Sequence, residues 1–557
     1  MDETFDFVIV GSGGGSMCAA LALRAGGKRV LVLEKTALVG GTTAISGGVM
    51  WIPDNPLMAA AGIEDSAGQA LDYLNAVVGD HEDTPGTSPE RRQTYIEQAP
   101  KMVQFLLDQG VSLRRVPSWP DYCALPGASV PGRTVTSDLF DIKQLGEWKS
   151  RLRPGFLPLP ARLEEAMALP DLKRSWASKK ILVRLIARSV SSRLKGQHLT
   201  SAGQALQGQM LRAALDAGVE IRTEARVREL LVEGGKVAGV VVAQDGKDRR
   251  VAARLGVLVN AGGFARNQRM RQQYLPDTST QWSRTAPGDT GEMIEEAVRV
   301  GAAIAQMDER VGNPIALPPG GAPDEPTIVH GDLAKPHGLV VDQSGERYMR
   351  EANSYVEVSR AMLARNKQVP AAPSWLVVDS RFLEKYMLAG SMPGSKKPKE
   401  WHEQQFLYRG DSLAGLAAAC DIDPGRLQAT VDRFNGFARN GKDEDFHRGD
   451  GVYDRWLGDS LHQPCPTLGT IEKAPFYAIK VYPGDVSTFG GLVTDRHARV
   501  LRQDGSVIPG LYATGTSTAS VMGRGCPGAG ASIGPSFTWA YVAARHALQN
   551  AEEAGLT

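Results

Sequence analysis

The chain has 557 residues, too many for one compact core, so length alone calls for two or three domains. Its 42% apolar and 22% charged content is that of an ordinary globular protein. With 63 Lys and Arg against 62 Asp and Glu, the formal charge of +1 gives no global electrostatic reason to expect nucleic acid as a partner. The five cysteines (Cys18, Cys123, Cys420, Cys465, Cys526) are scattered and form no C-x-x-C pair. That pattern points away from a disulfide framework or a metal cluster and toward a reducing compartment. The nine histidines are dispersed as well, so no metal site is expected.

From the N-terminus, an acidic start runs straight into the apolar run Phe5 to Val10, without the basic region of a secretory signal. No apolar run approaches the roughly 18 residues of a membrane span. A soluble protein, cytoplasmic or peripheral at the inner membrane surface, is expected. After the first strand come Gly11, Ser12, Gly13, Gly14, Gly15 and Ser16, a small-residue helix, and a strand from Arg29 to Leu33 ending at Glu34. Gly11 permits the tight turn, Gly13 lets the backbone approach a pyrophosphate, and small Ser16 allows close helix–strand packing. Glu34 falls where a carboxylate can accept bonds from ribose hydroxyls. Strand, turn, helix, strand and acid in this order make a dinucleotide site.

The next loop carries Gly40, Gly41, Thr42, Thr43, Ser46, Gly47 and Gly48, an unhindered surface suited to a flat ring. A basic insertion lies at about 150–200. Within it, residues 173–195 hold eight Lys and Arg, no acid, and interleaved Trp176, Ile181, Leu182, Val183, Leu185 and Ile186. Such a stretch reads either as a membrane-surface helix or as a solvated helix pair covering the first domain. A return helix (SAGQALQGQMLRAALDAG), a strand-rich stretch holding Val227, and a strand leading into Ala261, Gly262 and Gly263 follow. A helix is expected to start near Gly291, just after Asp289. The proline-rich segment GNPIALPPGGAPDEP marks a crossing into a second domain. The chain returns through a hairpin to GLYATG, with Gly515 and Thr516, and then to GRGCPGAGASIG, with Gly530, Ser532 and Ile533. With Lys35 these residues complete the candidate cofactor set. The expected domains are 1–308 and 481–557 for the nucleotide, with 309–480 inserted between them.

A chain that comes back three times to one site has the organisation of glutathione-reductase-like FAD domains. The segments VIVGSGGG, WPDYCALPG, NAGGFARN, GERYMRE, SYVEVSRAM, DFHRGDG, FGGLVTD, GLYATG and PGAGASIG together resemble the fumarate-reductase/3-ketosteroid dehydrogenase superfamily. The closer likeness is to 3-ketosteroid Δ1-dehydrogenases. The resemblance implies an α/β fold: a Rossmann FAD-binding domain with an inserted, smaller α+β catalytic domain capping the substrate. It also implies non-covalent FAD, since the histidine of covalent relatives is missing from the Gly40–Gly48 loop. Tyr355 matches the family's base, which takes a proton from the carbon beside the ketone. Tyr122 matches the tyrosine that supports it, and Gly530 matches the backbone N–H that donates to the ketone. The family's second donor to that ketone is a tyrosine, whereas this chain has Cys526.

The resemblance therefore implies 1,2-dehydrogenation of a 3-ketosteroid, with hydride passing to flavin N5 and Tyr355 working at a phenol pKa lowered from about 10 by its neighbours. Losing one enolate donor costs about 2.7–4 kcal/mol in comparable sites, so Cys526 also leaves open a different ketosteroid bond or a smaller cyclic ketone. A soluble fumarate-reductase-like reductase would carry arginine where Tyr355 stands, and a flavin-binding protein without turnover is the remaining alternative. No second redox motif is evident, so an external acceptor (quinone, carrier or oxygen) is expected. The oligomeric state is not evident in the sequence.

Overall fold

The computed structural model describes residues 2–79, 85–320 and 325–555. Residues 321–324 of the proline-rich crossing lie outside the described residues. The strand Glu3–Val10 sits centrally in an eight-stranded sheet. It runs parallel to Val30–Leu33 on one side and Lys247–Val259 on the other. Glu220–Arg222 and Val507–Ala513 extend the sheet in parallel, and Arg499–Leu501 closes one edge as the antiparallel hairpin partner. Parallel strands covered on both faces read as continuous apolar runs, and FVIV, VLVL and GVLV are all buried. The strand-rich stretch is a meander in which Lys236–Gln244 pairs antiparallel with both Arg226–Glu233 and Lys247–Val259.

Helices Gly14–Ala25, Ala202–Asp216 and Ile533–Glu553 cover one face of this sheet in a single core. Their closeness explains part of the glycine-rich fingerprint. A Cβ on Gly14 would lie 2.1 Å from the Phe537 ring, so that glycine serves helix packing. The helix expected near Gly291 is Glu292–Arg299, with Gly291 left-handed at its N-cap (φ 74°).

The second sheet has six strands and is antiparallel wherever Arg310–Ala316, Phe476–Thr488, Ser374–Asp379 and Gly338–Val341 meet. Phe476–Thr488 belongs to it throughout, running beyond residue 480 to pair with Arg310–Ala316. Helix Tyr355–Asn366 packs on Arg310–Ala316. The approach is close because Gly312 faces Ser359, where an added Cβ would come within 2.7 Å of the serine side chain. Arg310 Nη1 donates to Ser359 Oγ at 3.0 Å across that contact. A fully buried Arg271–Asp485 ion pair joins the nucleotide domain to the second sheet.

The basic stretch folds as one helix, Trp176–Leu194, following the short helix Leu163–Ala168. Gly11 makes the first strand–helix turn at φ 96°, where a Cβ would stand 2.2 Å from the Asn260 carbonyl oxygen. Gly11→Ala is therefore expected to displace the fingerprint turn, and the purified variant should lack visible flavin absorbance while keeping its far-ultraviolet circular dichroism.

Candidate active site

A cavity of about 910 Å³ is walled by residues of both sheets. At its nucleotide end lie Gly11, Ser12, Gly13, Glu34, Lys35, Val227, Ala261, Gly262 and Asp289. Gly13 is the N-cap of Gly14–Ala25 and lines the cavity, so the positive end of that helix's dipole is directed at an anion held there. Glu34 Oε2 accepts from Ser12 Oγ at 2.5 Å, and Oε1 accepts from the Thr36 N–H and Oγ1, each at 2.9 Å. A carboxylate has about four acceptor sites, so this anchored group keeps capacity for ribose hydroxyls. Asp289 Oδ1 is buried without a partner, and burial pushes its carboxyl up to about 7 against the opposing Gly263 N–H. A carboxyl that is orphaned here suits a hydroxyl of the cofactor.

Farther along, Gly41, Thr42, Thr43, Ser46, Gly47, Gly48, Thr516, Gly530, Ser532 and Ile533 line the middle of the cavity. Six expected cofactor residues do not line it: Gly14, Gly15, Ser16, Gly40, Gly263 and Gly515. Gly15 and Gly515 make room for Ser536, and Gly263 makes room for Thr488. Ser16 Oγ accepts from Asn260 Nδ2 at 2.8 Å, and Gly40 N–H donates to Ser12 Oγ at 3.0 Å. These residues hold the cradle's shape from behind.

At the substrate end, Tyr122 and Tyr355 meet edge-on with ring centroids 5.6 Å apart, and both line the cavity with Gly530. Two stitches hold the Tyr122 loop against the Gly530 loop. Tyr122 N–H donates to the Pro527 carbonyl at 2.9 Å, and Tyr73 Oη donates to the same oxygen at 2.6 Å. Behind them Arg133 is buried between Asp65 and Asp121, at 2.7 Å from each, and Trp51 Nε1 donates to Asp121 at 2.8 Å. Gly528 then sits so close that a Cβ would lie 2.6 Å from Trp51 Cδ1. Gly530 adopts φ 98° with its Cα against Met50 and Trp51, where a Cβ would be 2.5 Å from their backbone. Its N–H donates to no protein acceptor among the described residues.

Cys526 does not line the cavity, but its Sγ lies 3.7 Å from Tyr355 Oη. Burial pushes this thiol up to about 12, so it stays protonated and only weakly polar. The expected lowering of the Tyr355 pKa is corrected by the structure. Burial, then the Cys526 thiol and Tyr453, push the phenol well above its ordinary 10, and Tyr122 opposes them. The pocket holds the phenol among neutral groups, and desolvation disfavours its anion. Tyr355 is also the first residue of its helix, behind the Ser354 cap, a position whose dipole favours negative charge.

Sequence reasoning missed three members of this cluster. Tyr453, whose ring lies 4.2 Å from that of Tyr122, follows the DFHRGDG segment by two residues, so that motif was the available signal. His330, 5.6 Å from Tyr355, carries no motif. Its Nε2 lies 2.8 Å from the Asn353 carbonyl, and burial lowers its pKa to about 4, which keeps it neutral. Asn313 lines the cavity with a buried, unpartnered Oδ1.

Residues 6–533 match the family model described as FAD binding domain. The chain is 36% identical to a 3-oxosteroid 1-dehydrogenase of Mycobacterium tuberculosis over 99% of both chains. This chain belongs to the flavoprotein family of the 3-oxosteroid 1-dehydrogenases. It is accordingly an FAD-dependent oxidoreductase. It is also 33% identical to a 4-oxocyclohexanecarboxylate 2-dehydrogenase of Sinomonas cyclohexanicum, covering 98% of this chain and 92% of the relative. The solved 3-ketosteroid delta1-dehydrogenase of Sterolibacterium denitrificans, in complex with 1,4-androstadiene-3,17-dione, superposes with a TM-score of 0.92 at 35% identity, over 98% of this chain and all of that one. A flavocytochrome c3 fumarate reductase shares the fold at 21% identity and a TM-score of 0.64.

In this family member the Arg133 ion pairs underlie the loop that carries Tyr122. Arg133→Met would strand Asp65 and Asp121 in the interior, where breaking a buried pair costs about 3–5 kcal/mol. A clearly lowered thermal midpoint of the FAD-loaded variant, together with reduced turnover, is the expected result.

Proposed function

We propose that this flavoenzyme desaturates a 3-ketosteroid between the carbon beside the ketone and its neighbour, a 1,2-dehydrogenation. The observation that carries the reading is that Tyr122 and Tyr355, with rings 5.6 Å apart, line one cavity together with Gly530, whose N–H has no acceptor among the described residues. Around Tyr355 the groups are Tyr122, Tyr453, His330 and Cys526, all neutral. A cluster of this kind suits an uncharged ketone and offers nothing to balance a dicarboxylate. The family resemblance of the chain's motifs, and the androstadienedione bound to the structural neighbour, support the steroid as substrate.

In this mechanism the Gly530 N–H donates to the ketone oxygen and acidifies the adjacent C–H. Tyr355 removes that proton, and Tyr122 shares the charge that develops on the phenol. FAD, when bound, supplies the hydride acceptor at its N5 atom. The residues that would hold it are the Gly11–Gly13 turn, Glu34, Asp289 and the glycine-rich loops already described. Cys526 cannot replace the missing tyrosine donor, because a thiol is weak and this one faces Tyr355. An external quinone, carrier or oxygen takes the electrons.

A second reading is favoured by the same thiol. A smaller ketone can sit differently from a steroid and need not place its oxygen where the family's tyrosine would donate, and the 33%-identical relative is named for a cyclohexanone acid. The described residues include no helix long and apolar enough to cross a membrane. Contact of residues 173–195 with an anionic membrane surface, on the cytoplasmic side, is part of the proposal.

Tyr355→Phe is expected to lower kcat by about 10²–10⁴-fold, the usual worth of a general base, while steroid still perturbs the flavin spectrum. Full turnover in that variant would remove Tyr355 as the base. Because the phenol's pKa is raised, its basic form grows as pH rises, and kcat/KM should climb through neutrality without a plateau. A plateau reached below about pH 7 would mean a group of lower pKa does the work. Anaerobic bleaching with a panel of 3-ketosteroids and substituted cyclohexanones separates the two substrate readings.

A further inference from the structure

Strand Arg310–Ala316 sends successive side chains to opposite sides. On one side Gly312 meets Ser359 of helix Tyr355–Asn366. Val311 and Asn313, its neighbours in the chain, therefore point away from that helix, and both line the cavity. Val311 belongs to the apolar cluster against which Tyr355 packs. Tyr355 and Asn313 thus reach one cavity from two elements that are in contact.

An asparagine is out of keeping with that wall. Asn313 is only 7% exposed, its Oδ1 is unpartnered, and among the described residues its amide makes no side-chain hydrogen bond at either end. The cavity-lining residues around it are apolar: Val311 on its own strand, with Val486 and Ile328 on the strands to either side. Burying a carboxamide without partners opposes folding, whereas leucine would fill a similar space with no such penalty. The amide is placed for a ligand. Arg284 lines the cavity too, but its Nη1 lies 3.3 Å from both Glu325 and the Pro326 carbonyl, which offset its charge.

The chemistry of the missing partner follows from the atoms. Oδ1 needs a donor. A second ketone or a carboxylate can only accept, and would leave that oxygen orphaned. A hydroxyl both donates and accepts, so it satisfies the amide whichever end it meets.

We propose that Asn313 binds a hydroxyl group of the substrate and makes the enzyme selective for hydroxylated cyclic ketones. The amide would hold the ring system at a second point besides the ketone. This inference rests on the reading of a cyclic ketone as substrate.

Holoenzyme and the variants N313L and N313A would be titrated anaerobically with ketones paired to differ by one hydroxyl. Suitable pairs are cortisol with 11-deoxycortisol, 17-hydroxyprogesterone with progesterone, testosterone with androst-4-en-3-one, and 4-hydroxycyclohexanone with cyclohexanone. Binding is read from the shift of the flavin band, and reduction from its bleaching. In wild type the hydroxylated member of at least one pair should bind about tenfold or more tightly than its partner. In the variants that ratio should fall toward one. Far-ultraviolet circular dichroism checks the fold, and alanine carries the test if leucine does not fit. The proposal is overturned if wild type binds the members of every pair alike, or if the variants keep the wild-type ratio. It is overturned equally if folded variants lose FAD or shift its reduction potential while treating both members alike, since the amide then serves the cofactor. A selective loss of affinity for 3-oxochol-4-en-24-oic acid would overturn it too, because the amide would then read an anion. Bleaching without discrimination removes the hydroxyl and leaves the dehydrogenation standing. Discrimination in binding without bleaching by any ketone does the reverse.

Discussion

The proposed reaction centre is tied together at one backbone oxygen. The Pro527 carbonyl accepts from Tyr122 N–H and from Tyr73 Oη, and through those bonds the loop after residue 120 is fixed to a loop more than 400 residues later. Neither loop belongs to regular secondary structure at that point, so their spacing rests on this joint and on the packing of Gly528 and Gly530 against Trp51 and Met50. Arg133, held by two carboxylates beneath Trp51, makes the joint stiff. Helix Tyr355–Asn366 then delivers the third group from the other sheet, and its position follows from the Gly312–Ser359 approach. Three separate parts of the chain thus meet within the span of two phenol rings.

The electrostatics of that meeting favour neutrality. Tyr122, Tyr355 and Tyr453 are all pushed well above 10 by burial, and His330 is pushed down to about 4 for the same reason. In the proposed reaction a phenol of this kind abstracts a proton only when the substrate has been acidified, which places the burden on the donor to the ketone. In that reaction the burden falls on the Gly530 N–H, because the Cys526 thiol is protonated and lies against Tyr355. The helix dipole at Tyr355 offsets part of the desolvation, since it acts on the anion without adding a charge to the pocket.

Much of the nucleotide domain could be read from the sequence because parallel strands and fingerprint turns have strong local signatures. FVIV, Gly11 and Glu34 fall where their order placed them. The motif spelling was less informative about individual glycines. Gly14, Gly15 and Gly515 look like cofactor contacts in the sequence, yet their missing side chains make room for Phe537 and Ser536. Tyr453 and His330 could not be found by spacing, because a buried aromatic in one loop has no periodic pattern that points to a phenol elsewhere. The direction of the Tyr355 shift was likewise hidden. Sequence shows which groups are present, whereas the shift depends on how completely they exclude water.

Helix Trp176–Leu194 shows a different limit. Its amphipathic pattern was plain in the sequence, but a pattern does not say which face turns inward, and the ordinary expectation is the apolar one. Here the pairing of Arg188 with Glu165 orients the helix against that expectation, because that cation lies on the side of Ser178 and Ser192, while the Arg174–Asp459 pair anchors the turn that enters the helix. Turning the helix over would bury Lys179 and Lys180 and break the Arg188–Glu165 pair, a larger penalty than leaving Val183 and Val190 in water. The inverted face is therefore what the charges dictate.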